Sequence, residues 1–186
     1  MIGFIQQMIN GLSIGSVYAL MAVGYSLVYS IMNFSNFAHG GVIMIGSYIG
    51  FFCISLLNFS FPVAFVTAAL GSGILAIIVE RVAYNPLRKR NAPFLYFIIS
   101  AMGASIFLEN IVVATIGPTF RTYPPVFSAT PIQIGGLTIG RLDVLMFVIS
   151  AISLSILVYI IEKTKIGLAI RATSYSSKGS TLMGVN

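Results

Sequence analysis

Five apolar stretches alternate with polar or basic connections along this chain. They run from about Phe4 to Ile31, Gly40 to Leu57, Pro62 to Val79, Phe94 to Ile116 and Val144 to Ile161. About 20 mostly apolar residues in a helix cross the roughly 30 Å of hydrocarbon in a bilayer. Between Met1 and Val79 there is no Asp, Glu, Lys or Arg, so that part alone has room for three crossings. In lipid each backbone N–H and C=O must be satisfied within the protein, and a helix does this unaided. The pattern predicts an all-α, polytopic transmembrane bundle of about five spanning helices, forming one domain over residues 1–186.

The connections set an orientation. Arg81, Arg88, Lys89 and Arg90 lie between the third and fourth stretches, and Lys163, Lys165, Arg171 and Lys178 follow the fifth. The long connection between the fourth and fifth holds only Arg121 and Arg141, near its ends. Short basic connections stay in the cytoplasm. Residues 81–93 and 162–186 are therefore expected inside, and the long connection and the N-terminus outside. The first apolar stretch lacks a positive lead and a cleavage site, and is expected to be a retained helix. In the long connection, Pro124, Pro125 and Pro131 break any helix. The alternation from Ile132 to Ile139 around Gly135-Gly136 predicts a small extracytoplasmic β-hairpin, a rigid lid rather than a binding loop. Asp143 is expected to cap the fifth helix. Small-xxx-small patterns at Gly11/Gly15 and Gly46/Gly50 predict close helix packing.

Composition narrows the class. Charged residues make up 8% of the chain, against about a quarter in soluble domains. The net charge of +6 sits in clusters beside apolar stretches rather than on a nucleic-acid face, so membrane lipid is the expected surroundings and nucleic acid is not a partner. The lone Cys53 allows no intrachain disulfide and implies no metal site. No catalytic triad, paired carboxylates, P-loop or dinucleotide fingerprint is present, so neither an enzyme nor a cofactor is expected, and any ATP must be bound by another subunit.

Two places depart from plain spanning helix. Asn33 to Gly41 joins the first two stretches and is polar yet uncharged. It is either a broken helix lining a path, with Asn33, Asn36 and His39 as candidates, or a neutral turn whose asparagines cap helix ends. His39 by itself fits a hydrogen-bonded structural residue better than a ligand or proton relay. Glu109 lies in the fourth stretch, where an ionised side chain is costly. It should face protein or water with Arg121 as partner, as a structural pair or as part of the path.

The segment after Glu162 carries Thr164, Gly167, Ala169, Arg171, Ala172 and then Leu182, Met183, Gly184 and Val185. With Asn10 to Leu20, Asn36 to Gly40 and Glu80 to Arg88, in that order along the chain, this resembles the permeases of branched-chain amino acid ABC transporters. The resemblance implies a membrane-spanning subunit of an ATP-driven importer for branched-chain or related amino acids in the inner membrane. It implies a cytoplasmic ATP-binding subunit, a second permease subunit and a periplasmic solute-binding protein as partners. Residues 162–186 would be the coupling segment, with Gly167, Arg171, Ala172, Leu182 and Gly184 carrying the ATPase contact. Lys178-Gly179-Ser180 stands where the family usually has a Glu-Ala-Ala-like triplet, which reverses a charge there. The family continues through further spanning helices, so the domain is expected to be incomplete at its C-terminus. The rival class, an ATP-independent channel or secondary transporter, calls for intramembrane ionisable residues, and Glu109 alone is thin support.

Overall fold

The computed structural model describes residues 2–124, 132–134 and 137–185. Its elements are α1 (Ile2–Met32), α2 (Ala38–Ser55), α3 (Phe61–Val79), a π turn (Glu80–Tyr84), α4 (Asn85–Lys89), α5 (Phe94–Ile116), β1 (Ile132–Ile134), β2 (Leu137–Ile139), α6 (Arg141–Lys163), α7 (Lys165–Tyr175) and α8 (Ser177–Leu182). Five of the helices are long and apolar enough to cross a membrane: 3–32, 38–55, 61–89, 94–116 and 141–163. The apolar pattern alone located all five.

It did not find the end of the third. Hydrophobicity stops at Val79, where charge begins, yet the helix runs on to Lys89. The residues expected to form a loop from Arg81 instead form the π turn and α4. Pro86 supplies the reason: it has no N–H to give the carbonyl four residues back, and its ring crowds that carbonyl. A turn widened by one residue absorbs this, and the Asn85 N–H reaches the Glu80 carbonyl five residues back.

The chain forms two compact units, residues 34–126 and residues 1–33 with 127–186. In the first, α2 packs on α3 and α5 through small residues. A Cβ on Gly46 would stand 3.0 Å from Ser72 Cβ, and one on Gly50 3.5 Å from Ala68 Cβ. Gly41 receives Leu108 of α5 at 3.1 Å. Lipid supplies no hydrophobic drive between helices, so such close backbone approach is what holds them.

In the second unit α6 packs on α1, and α7 on both. The Gly11/Gly15 pattern does not make the same seam, since neither glycine has an atom within 4 Å of where a Cβ would stand. β1 and β2 pair antiparallel, Gln133 opposite Thr138. The Gln6 side chain holds β2 to α1: its amide nitrogen donates to the Thr138 carbonyl at 2.6 Å, and its oxygen accepts from the Thr138 N–H at 2.8 Å. The Gly135-Gly136 connection, Pro125 and Pro131 lie outside the described residues. Asp143 is not the cap of α6. Gly140 occupies that position, and Asp143 sits within the first turn, where its charge still favours the helix N-terminus.

Candidate functional site

The segment α7–α8 is built outward from α6. Thr164 ends α6 and caps α7, its Oγ1 accepting the Gly167 N–H at 3.0 Å. Gly167 is buried in that first turn, and a Cβ there would run into the carbonyl oxygens of Ile160 and Ile161. Only glycine allows α7 to fold back so tightly on the end of α6. Arg171, one turn on, reaches the Glu162 carbonyl with its guanidinium at 3.4 Å, a cation at the negative end of a helix. Ser176 caps α8 by accepting from the Gly179 N–H at 3.1 Å. Gly184 closes it in the left-handed region, φ +85°, with Gly184 N–H on Thr181 O and Val185 N–H on Ser180 O, a Schellman ending.

The five residues assigned to ATPase contact therefore occupy two kinds of place. Gly167 and Arg171 fix α7 on α6, and Gly184 terminates α8. Ala172 and Leu182 are exposed, together with two large apolar neighbours: Leu182 is 87% exposed, Met183 88% and Tyr175 95%. The Lys178 side chain lies outside the described residues.

The candidate path residues have local duties. Asn33 stops α1 in the left-handed conformation, φ 55°, its N–H on Tyr29 O at 2.8 Å. Asn36 uses Oδ1 twice, for the Ala38 N–H at 3.2 Å and the Tyr84 hydroxyl at 2.6 Å. The first is an Asx turn leading into α2. The His39 N–H meets the Asn36 carbonyl at 3.1 Å, and His39 is half-buried. Together these bonds shape the turn between α1 and α2, and the N-cap residue of α2 is Phe37, without a side-chain cap bond. Tyr84 lies within the Glu80–Arg88 motif, which assigned it no role; it is 1% exposed, and its ring meets Phe34 edge-on at 5.2 Å while Phe34 meets Phe97 at 5.2 Å. Ser100 Oγ donates to the Ala83 carbonyl in the π turn at 2.8 Å. The turn that Pro86 forces is thus where Asn36 is held.

The expected Glu109–Arg121 pair does not form. Glu109 is exposed on α5 and accepts from Ser105 Oγ at 3.0 Å, while Arg121 donates to the Ile116 carbonyl at 3.3 Å. Arg88 pairs with Glu80 instead, at 3.0 Å across the π turn.

Arg121 stands instead at a recess of about 340 Å³ in the 34–126 unit, walled by α2, the end of α5 and the strand of chain that follows it. Tyr123 pins that strand: its hydroxyl donates to the Ser47 carbonyl, its ring meets Phe51 edge-on at 5.6 Å, and it fits because Gly50 has no side chain, a Cβ there lying 3.1 Å from the hydroxyl. Burial pushes the Tyr123 phenol above its ordinary value, which keeps the proton that this bond needs.

A profile of the family described as the permease component of branched-chain amino acid transport systems matches residues 7–186. The high-affinity branched-chain amino acid transport system permease protein BraD of Pseudomonas aeruginosa is 37% identical over 98% of this chain and 63% of its own length. LivH of Escherichia coli, a permease protein of the same description, is 35% identical with the same coverage. The probable LivH of Methanocaldococcus jannaschii is 28% identical over 92% of this chain and 55% of its own. The chain thus spans less than two thirds of the relatives it matches. No solved structure matches it.

Proposed function

This chain belongs to the family of permease components of branched-chain amino acid transport systems, a multi-pass membrane protein, and on that premise we propose that it is a permease subunit of an ATP-driven importer of branched-chain or related amino acids. Its partners are a cytoplasmic ATP-binding subunit, a second permease subunit and a periplasmic solute-binding protein. Residues 81–93 and 162–186 face the cytoplasm. The N-terminus and the connection carrying β1 and β2 face the other side.

The observation that carries this reading is the exposure of Tyr175, Leu182 and Met183 on a segment seated rigidly against α6. Large apolar side chains beyond the membrane helices, offered on short capped helices, suit the groove of a partner protein. We assign the seat to Thr164, Gly167 and Arg171, and the contact to Ala172, Tyr175, Leu182 and Met183. Force on α7 then passes into α6 as rigid-body motion. Glu109 lends little to an ATP-independent mechanism, since its described partner is a serine on its own helix.

The test is co-expression of the tagged chain with the ATP-binding subunit and capture in detergent. Leu182→Ala with Met183→Ala should remove the ATPase while helical content and membrane insertion stay unchanged. Retention of the ATPase by this double variant and by Tyr175→Ala overturns the assignment.

A further inference from the structure

The recess beside Arg121 has no part in the seat just described, and its position and lining point to a ligand. Leu108 packs on Gly41, so eight residues on, Ile116 ends α5 about level with Ile49. Since α2 continues to Ser55, it overtops α5 by about 9 Å at a helical rise of 1.5 Å per residue. The strand from Gly117 to Tyr123 fills the step, and it is non-helical backbone beside an apolar helix. Such backbone is tolerated at membrane depth only where protein covers it or a watered cavity runs alongside.

The walls are preformed by the Tyr123 bond and offer two kinds of surface. Met44, Phe51 and Val112 make an apolar side. Among the described residues Arg121 is the single charged residue of the lining, and it spends one N–H of its guanidinium on the Ile116 carbonyl, leaving its fork for a planar anion. No carboxylate among the described residues lines the recess, so a cation with no anionic group finds no ionic partner there. Ser47 gives its hydroxyl proton to the Met44 carbonyl at 2.9 Å, which leaves lone pairs for an ammonium. The volume of about 340 Å³ lies at the small end of ligand pockets.

We propose that this recess binds a small aliphatic α-amino acid, with the carboxylate on Arg121 and the side chain against Met44, Phe51 and Val112. The assignment rests on the importer reading and adds to it a binding site with named contacts.

The experiment is saturation binding of tritiated L-leucine to the chain in phosphatidylcholine nanodiscs. Unlabelled 4-methylpentanoate, the same tail with a carboxylate and no ammonium, should compete, and 3-methylbutylamine, which lacks the carboxylate, should not. Arg121→Gln should weaken leucine binding by roughly tenfold or more, the scale of a lost charge-assisted pair, and Arg121→Lys by less. Val113→Phe, which places a ring in the recess and leaves Arg121 intact, should abolish it, and Lys89→Gln controls for loss of one positive charge. Absence of leucine binding to the unaltered chain, binding unchanged in both Arg121→Gln and Val113→Phe, or equal competition by the amine each overturns the proposal. So does displacement of leucine by phosphatidylglycerol in the disc, which would give Arg121 to a lipid phosphate. ATPase capture on the same samples separates the two ideas: capture without leucine binding removes the site and leaves the importer reading standing.

Discussion

At the scale of single residues, what decides a glycine's role is what surrounds its missing side chain. Gly167 is enclosed by the carbonyls of Ile160 and Ile161, whereas Gly73 has nothing within 4 Å. Gly167→Ala should therefore cost about 1–3 kcal/mol of the overpacking kind. It should be visible as faster proteolysis at Lys163 and Lys165, while Gly73→Ala leaves cleavage unchanged. The family resemblance marked Gly167 and Arg171 as important from sequence. It could not say that one is buried and the other tied to a helix end, because both facts depend on how sharply the chain folds back after Thr164. Tyr123 supplies a pH prediction. An acid whose folded pKa lies above its ordinary 10.0 stabilises the fold below that value and loses the contribution as pH rises through the higher one. The stability gap between the unaltered chain and Tyr123→Phe should be flat from pH 6 to 9 and close above about pH 10, as followed by thermal unfolding in detergent.

At the scale of elements, hydrophobicity reports the membrane rather than the helix. It located five spans, since long runs with at most one ionised group suit lipid surroundings, but it ended the third at Val79 because charge starts there. The small-residue patterns were equally readable and had different fates. Gly46 and Gly50 form the α2–α3 seam, while a Cβ on Gly11 or Gly15 would meet no other element within 4 Å among the described residues, and nothing in either motif says which partner it will meet. Gly46→Leu should break the seam, since the new side chain would displace Ser72, and lower the melting temperature more than Gly11→Leu. The bond from Tyr84 to Asn36 joins residues 48 positions apart, which no local pattern reveals. Tyr84→Phe and Asn36→Ala should each cost about 1 kcal/mol and together less than their sum, a coupling that a double-mutant cycle reads directly.

At the scale of the molecule, the proposed orientation rests on charge placed in short connections. With Cys53 changed to Ser, a cysteine at Arg90 should react with an impermeant maleimide only in inverted vesicles, and one at Thr122 only in intact cells. The reverse pattern would invert the topology and take the docking role of α7–α8 with it. The charge difference between the connections is legible in the sequence, and it is the kind of signal a bilayer sorts by side. The recess at Arg121 is not legible there, because it arises from α5 ending below α2, a difference in helix level that no run of residues encodes. The π turn has its own long-range effect. One residue beyond the α repeat shifts the screw phase of everything after it by about 100°. Arg88 therefore comes round to Glu80 eight positions earlier, instead of standing on another side of the cylinder. Deleting a single residue from Glu80–Tyr84 would reset that phase, rotate the Arg88–Lys89 corner away from its anionic neighbour and re-aim the basic end of the third span.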